Sequence, residues 1–324
     1  MQRICKKLDN ELSLGSIICL QELSTLWTSK LHTYFYKNDY YLVTGLYGNK
    51  FNGYMGVGIA IPKKLYNIND IIINRIADTY IDENSNVKKY DDNKSNNTSG
   101  IFKSLKNQLK KISLTIGSLV GIGKNNVTKE KLDPWYEANK KMNQMVILQL
   151  EKKKQNKSNK DSTFYIGTYH MPCMFKLPAV MMIHCAASTQ YIQKIANGKP
   201  YIYCGDFNIM PDSLMYKMLT SGKGNMTAFN LLPYNKFKFE VEPLKSAYKE
   251  FNNIEPLYTN FAQTKGSSSL FKGTLDYIFI SDEWKVQDVV KLPNEYPQAG
   301  LPSIDEPSDH ILLGATMSLS KDKN

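Results

Sequence analysis

The run Tyr201-Ile-Tyr-Cys-Gly-Asp-Phe-Asn208 constrains this chain more than any other stretch. Its apolar first half predicts a buried strand, and Gly205 permits a sharp turn where that strand stops. Asp206 and Asn208 follow two positions apart, a spacing that sends both side chains to one side of an extended segment. There a carboxylate can orient or deprotonate water while the amide holds a phosphoryl oxygen. Pro211-Asp-Ser213 then opens a helix. A lone Gly-Asp-x-Asn turn is unremarkable, but between a buried strand and a helix start it points to a site.

Strand patterns recur on both sides of this run. They are expected over Ile17–Leu23, Tyr40–Thr44, Gly56–Ile61, Ile71–Ile76, Met145–Leu150, Phe164–Tyr169, Tyr201–Gly205, Thr274–Ile280, Val286–Val290 and Ile311–Met317. Helices are expected over Thr25–Tyr36, Ala179–Ala196 and from Leu214 to Leu219, and residues 1–16 also read as helix. Many strands with few intervening helices predict two sheets packed face to face with helices outside. Two stretches read as an insertion at about 82–123. Asp82–Gly100 is rich in Asn, Asp and Lys and is expected to be a loop. Ile101–Val120 carries apolar residues at steps of three and four between lysines, the pattern of a basic amphipathic helix. It is expected to pack on the domain or, alternatively, to contact a membrane or an anionic ligand. All 324 residues are read as one catalytic domain carrying this insertion.

Lys and Arg number 41 against 30 Asp and Glu, an excess of +11 that suits a polyanionic partner such as nucleic acid. The five cysteines show no metal-ligand spacing and are read as reduced thiols. The N-terminal segment lacks the apolar core of a signal peptide, and no apolar run is long enough to span a bilayer. An intracellular location, cytoplasmic or nuclear, is therefore expected.

Acidic and histidine residues gather at strand ends. Glu22 closes the first strand, and His170 ends Phe164-Tyr-Ile-Gly-Thr-Tyr-His170. Asp276 sits among apolar neighbours in Thr274–Ile280, where a carboxylate is costly without a partner. Pro307-Ser-Asp-His310 offers that partner in His310, with Asp309 beside it. An Asp–His pair makes an oriented base or an electrophilic imidazole for attack on phosphorus. His32 and His184 lie within helix patterns and are assigned to structure.

Together these runs resemble the endonuclease/exonuclease/phosphatase superfamily, which has the fold of pancreatic deoxyribonuclease. Its order of motifs is matched by Gln21-Glu22, Tyr169-His170, Gly205-Asp-Phe-Asn208, Leu275-Asp-Tyr-Ile-Phe279 and Ser308-Asp-His310. Within that superfamily the chain is most similar to the carbon-catabolite-repressor-type deadenylases, nocturnin and the 2′-phosphodiesterases. Gly205–Ser213, Leu244–Tyr248, Tyr258-Thr-Asn260 and Phe271–Phe279 carry that finer likeness. The resemblance implies an α/β fold: a four-layered sandwich of two packed mixed β-sheets flanked by helices. It implies that Glu22 binds Mg²⁺, with Mn²⁺ as a substitute, and that Asp309 supports the metal side. It assigns His170 to the scissile phosphate, Asp206 to the nucleophilic water and Asn208 to a phosphate oxygen. It makes Asp276 the residue that orients His310. Two departures stand out. The family opens with a strand bearing an active-site Asn, and that strand is expected to be missing or supplied from elsewhere. The family's Asn-Thr-His reads Thr168-Tyr-His170, followed by Met171-Pro-Cys-Met-Phe175.

The function this implies is Mg²⁺-dependent phosphodiester hydrolysis, with 3′-to-5′ removal of RNA ends in the manner of a deadenylase. A phosphoesterase on a nucleotide or lipid head group, of sphingomyelinase or phosphoinositide-phosphatase type, is the alternative. A non-catalytic nucleic-acid-binding relative is a third.

Overall fold

A computed structural model describes residues 2–48, 55–80, 133–153, 163–224, 237–263, 270–297 and 299–320. The expected insertion at about 82–123, including Ile101–Val120 and its membrane contact, lies outside these residues. The chain begins with α1 (Gln2–Leu14), β1 (Ile18–Leu20) and α2 (Thr25–Lys37). Ser24 starts α2 by accepting the Trp27 backbone N–H at 3.2 Å, so one otherwise orphaned donor of the first turn is satisfied. Strands β2 (Tyr40–Tyr47), β3 (Met55–Pro62) and β4 (Tyr66–Arg75) follow, then the short helix α3 (Pro134–Asn139). Next come β5 (Gln144–Lys152), β6 (Thr163–His170), the long helix α4 (Pro178–Ala196), β7 (Tyr201–Asp206) and α5 (Leu214–Ser221). The last part holds β8 (Lys245–Ser246), α6 (Ala247–Asn252), β9 (Asn260–Gln263), β10 (Leu270–Gly273), β11 (Asp276–Ile280), β12 (Trp284–Val289) and β13 (Ala315–Leu319).

One sheet has six strands in the order β4-β5-β6-β7-β11-β8. It is mixed: β6 and β7 run parallel, and the other pairs are antiparallel. Facing it are a three-stranded sheet, β1-β3-β2, and the pair β12-β13. The second sheet of the expected sandwich is thus present as two separate pieces. Both pack on the same core. Val57, Ile59 and Ile61 of β3 meet Val146, Leu148 and Leu150 of β5, while Trp284, Val286 and Met317 close the cluster from β12 and β13. Each fully buried aliphatic side chain of this kind contributes about 1.5–3 kcal/mol. Helices α1 and α2 cover the three-stranded sheet through Leu8, Leu31 and Phe35. Helices α4 and α5 cover the other face of the six-stranded sheet, around Tyr169, Tyr203 and Phe279. The order helix, sheet, sheet, helix is the four-layered α/β architecture.

The buried face of α4 carries His184, whose Nδ1 lies 2.9 Å from the Tyr169 hydroxyl and Nε2 3.0 Å from the Ala138 carbonyl oxygen. A carbonyl can only accept, so Nε2 carries the proton and Nδ1 accepts from Tyr169. The ring is structural, as its helix position suggested, whereas His32 is solvent-exposed on α2. Burial holds the His184 pKa at about 4, below the ordinary 6.5. Because the folded value is depressed, the neutral ring's contribution is complete above pH 6.5 and is lost as pH falls through 4. The shift corresponds to about 3 kcal/mol. His184→Gln keeps one acceptor and one donor without titrating. Urea unfolding at pH 7 and pH 4.5 is expected to show a smaller acid loss for the variant than for the wild type. An equal loss would remove His184 as a cause.

Candidate active site

Register brings the site together. His170 of β6 pairs across the sheet with Asp206 of β7, and Asp206 with Asp276 of β11. Three of the expected site residues therefore stand in one row across adjacent strands. Asp276 opens β11 instead of lying within it. Since β11 runs antiparallel to β7, its beginning reaches the rim where β6 and β7 end. Gly205 serves a different need from the expected turn. It lies within β7, where an added Cβ would stand 1.9 Å from the Tyr169 carbonyl oxygen, so only glycine lets β7 come this close to β6.

His310 joins the row from the loop before β13. Its Nδ1 lies 2.7 Å from Asp276 Oδ2, as the sequence pairing anticipated, and its Nε2 lies 3.9 Å from Asp206 Oδ2. His170 approaches the same Asp206 oxygen through Nε2 at 3.4 Å. Asp206 Oδ2 thus lies between two imidazoles, while its Oδ1 accepts the Asn208 backbone N–H at 2.9 Å. Asn208 has left the strand and sits in the left-handed region, with φ 53°. Its Nδ2 donates to the Met171 carbonyl at 2.9 Å. A tight turn, and not the alternation of an extended segment, holds Asn208 beside Asp206.

Glu22 also adopts a left-handed conformation, with φ 56°, just beyond β1. Two bonds fix its neighbours. Gln21 Nε2 donates to Thr168 Oγ1 at 2.9 Å, and Leu23 N donates to the Gly56 carbonyl at 2.9 Å. The Glu22 carboxylate makes no hydrogen bond or ion pair among the described residues and is solvent-exposed. Asp309 is exposed as well, and its backbone carbonyl accepts from Asn260 Nδ2 at 3.2 Å and Phe261 N at 3.2 Å.

The electrostatics follow from crowding of acids. Asp206 is only 6% exposed. Its carboxyl is pushed well above the usual range by burial and then by the charge of Asp276, against the pull of His310 and the Asn208 N–H. Partial desolvation raises Glu22, and the nearby charges of Asp309 and Asp276 add to that against His310. Burial, with the charge of His310, lowers His170 to about 4, so its ring is neutral near pH 7. Burial disfavours charge on His310 too, but the hydrogen bond and charge of Asp276, with Asp206 and Asp309, win and raise it to about 9.

Several members of this arrangement have no sequence signature of their own. Thr259 accepts the backbone N–H groups of Leu275 and Asp276 at 2.9 and 3.0 Å and donates to Asp276 Oδ2 at 2.6 Å. It pins the carboxylate that holds His310. Cys173, in the Met171–Phe175 stretch, is exposed and senses the charges of Asp206 and Glu22.

The residues fit a divalent cation. Asp206, Asp276 and His310 bring ligand atoms within 4.8 Å of one another. The sequence assigns these three to catalysis, whereas the expected ligands Glu22 and Asp309 lie outside that triplet. Asp276 and His310 are bonded to each other, and the acceptor-only carboxylate of Glu22 has no hydrogen-bond or ion-pair partner among the described residues. Mutually repelling acids held above their usual range, together with oxygen donors, make a site short of positive charge. His170 Nδ1 is also buried with no hydrogen-bond partner among the described residues. A polar atom left so costs about 1–3 kcal/mol, a cost that ligand-binding positions tolerate.

Residues 177–310 match the profile of the "Endonuclease/Exonuclease/phosphatase family". The chain is 33% identical over 135 residues to a "Probable CCR4-Not complex 3'-5'-exoribonuclease subunit Ccr4" of Vairimorpha ceranae, covering 40% of this chain and 26% of that relative. It is 31% identical over 177 residues to "2',5'-phosphodiesterase 12" of Homo sapiens, covering 48% of this chain and 26% of the relative. The chain thus matches about a quarter of the length of these curated relatives. Among solved structures, ANGEL2, a 2′,3′-cyclic phosphatase in complex with adenosine-2′,3′-vanadate, superposes with TM-score 0.66 at 15% identity. That match covers 99% of this chain and 86% of the other. The human nocturnin catalytic domain with bound sulfate superposes with TM-score 0.57 at 18% identity, covering 98% and 86%. Identities this low speak for the fold alone.

Proposed function

We propose that this chain, a member of the endonuclease/exonuclease/phosphatase family, is a divalent-metal-dependent phosphodiesterase that removes nucleotides from the 3′ end of RNA. The observation that carries this reading is the row of His170, Asp206 and Asp276 across three strands, with His310 locked onto Asp276. The described parts of the chain work as one catalytic domain. Its excess of +11 supplies a surface for a polyanion. The relatives named for exoribonuclease and 2′,5′-phosphodiesterase activity favour RNA as that polyanion.

Each residue has a chemical task. Asp206 takes a proton from the attacking water through Oδ2, while its Oδ1 stays bound to Asn208 N. His310 is the cation of the pair and presents Nε2–H to a phosphoryl oxygen, with Asp276 and Thr259 fixing its ring. Neutral His170 stands on the other side of Asp206 and offers a second ring contact to the phosphate. Glu22 would hold Mg²⁺ or Mn²⁺ with support from Asp309, and the bound ion would neutralise phosphate charge and favour the ionised form of Asp206. Water's oxygen bonds to phosphorus, the ester oxygen leaves with a proton, and a mononucleotide is released.

Described residues include no helix long and apolar enough to cross a membrane. The test is product analysis of a 5′-labelled oligoadenylate with Mg²⁺ or with EDTA, beside a labelled nucleotide and sphingomyelin. Stepwise shortening with Mg²⁺ alone is expected. Hydrolysis of only the nucleotide or the lipid would replace RNA as the substrate class. RNA binding without turnover of any of the three would mark a non-catalytic relative.

A further inference from the structure

We propose that Tyr47 is a further catalytic residue of this site, donating a hydrogen bond from its hydroxyl to a non-bridging oxygen of the phosphate. The inference rests on the phosphodiesterase reading for its chemistry and on β2 for its geometry. Side chains alternate along a strand, so Val43, Gly45 and Tyr47 share one face of β2. Val43 packs into the core between the sheets. A Cβ on Gly45 would stand 3.0 Å from Val146 of β5, so this face of β2 lies against the six-stranded sheet. Tyr47 is the last residue of β2 and pairs with Met55 at the start of β3. Glu22 stands at the same end of this sheet, because Leu23 N is bonded to Gly56.

The bonds around the ring define what its hydroxyl can do. Asn143 Nδ2 donates to the Tyr47 hydroxyl at 3.3 Å and to the His170 backbone carbonyl at 2.8 Å. That uses both amide hydrogens of Asn143 and makes the Tyr47 oxygen the acceptor. One amide thereby ties Tyr47 to the end of β6, where His170 enters the row. The phenolic proton is left over, since no described residue accepts it. Tyrosine hydroxyls this buried ordinarily find a partner for their proton. Tyr47 is 8% exposed, so solvent is a poor substitute. The groups beyond the ring are acidic: burial raises the Tyr47 pKa, and the charges of Glu22 and Asp206 raise it further against the Asn143 bond. A neutral donor among carboxylates, facing a site built for a cation, suits an acceptor that arrives with that cation. Phosphate oxygens meet this description. A purely structural tyrosine would use Asn143 alone, and its proton would contribute nothing to ligand affinity.

Tyr47→Phe separates the two roles because it keeps the ring and removes only the hydroxyl. The probe is bis(4-nitrophenyl) phosphate with Mg²⁺, read beside calorimetric binding of inorganic phosphate and thermal unfolding. The expected result is a fall in kcat of about 10- to 100-fold, at or below the low end for a lost oxyanion donor. Phosphate affinity should fall with it, and the melting temperature should hold. Asn143→Ala is expected to lower kcat less, and in the double variant to add nothing beyond Tyr47→Phe. A kcat within twofold of wild type overturns the proposal. So does a loss of activity that tracks a loss of thermal stability while phosphate affinity is unchanged. If the wild type turns over no phosphodiester but binds phosphate in a Tyr47-dependent way, the assigned reaction fails and the Tyr47 contact stands. If the wild type neither turns over nor binds, both fall.

Discussion

Asp206→Asn is expected to lower Mg²⁺-dependent turnover of oligoadenylate by about 10²- to 10⁴-fold, the usual consequence of losing a well-placed general base. The substitution keeps volume and one carbonyl oxygen, so the bond from Asn208 N to Oδ1 can persist. What disappears is the ionisable oxygen between His170 and His310. Folding should not suffer. Burial and Asp276 already oppose charge on Asp206, so a neutral amide relieves repulsion. The melting temperature is expected to hold or rise while turnover collapses, the opposite of what damage to the core produces. RNA affinity should largely survive, since the basic surface supplies most of it. Turnover, melting and filter binding on the same preparation check all three.

His310→Ala should cost a comparable factor, because it removes the cationic donor that Asp276 holds. The Asp206→Asn, His310→Ala double variant should lose less than the product of the two single losses, since the residues act as a unit. Asp276→Asn tests the same pair from the other side. Asp276 is a main reason that His310 stays protonated up to about 9. Without that charge the imidazolium should deprotonate at lower pH, and the alkaline limb of the rate profile should move down. Fully multiplicative losses, or an unmoved alkaline limb, would mean that Asp276 and His310 do not work as a pair.

Legibility in the sequence depended on whether a residue's neighbours along the chain carried the signal. The apolar run before Gly205 announced β7, and residues 164–170 announced β6, because buried strands need unbroken apolar stretches. The Asp276–His310 bond was legible from cost alone: a carboxylate among apolar residues requires a partner, and few candidates existed. Boundaries fared worse. The expected strand over Ile311–Met317 is β13 at Ala315–Leu319, and the strand over Ile71–Ile76 belongs to the longer β4 at Tyr66–Arg75. β8 has two residues and β9 and β10 four each, too few to show a period. Thr259, Asn143 and Tyr47 stayed hidden for a different reason. Each acts through a partner far away in sequence, and an isolated Thr, Asn or Tyr at a strand end has no pattern to betray it. Thr259 alone had an indirect marker, since it lies in the Tyr258-Thr-Asn260 stretch that carried the family likeness. The division of the second sheet into β1-β3-β2 and β12-β13 was likewise invisible, because pairing between sheet pieces leaves no trace in local periodicity.

The most direct test of the central claim is hydrolysis of an oligoadenylate in H₂¹⁸O with Mg²⁺, followed by mass analysis of the released nucleotide. Water attack at phosphorus beside Asp206 predicts one ¹⁸O in the phosphate of each mononucleotide, no release with EDTA and almost none from Asp206→Asn. Unlabelled phosphate in the product, or undiminished Mg²⁺-dependent release by Asp206→Asn, would contradict it.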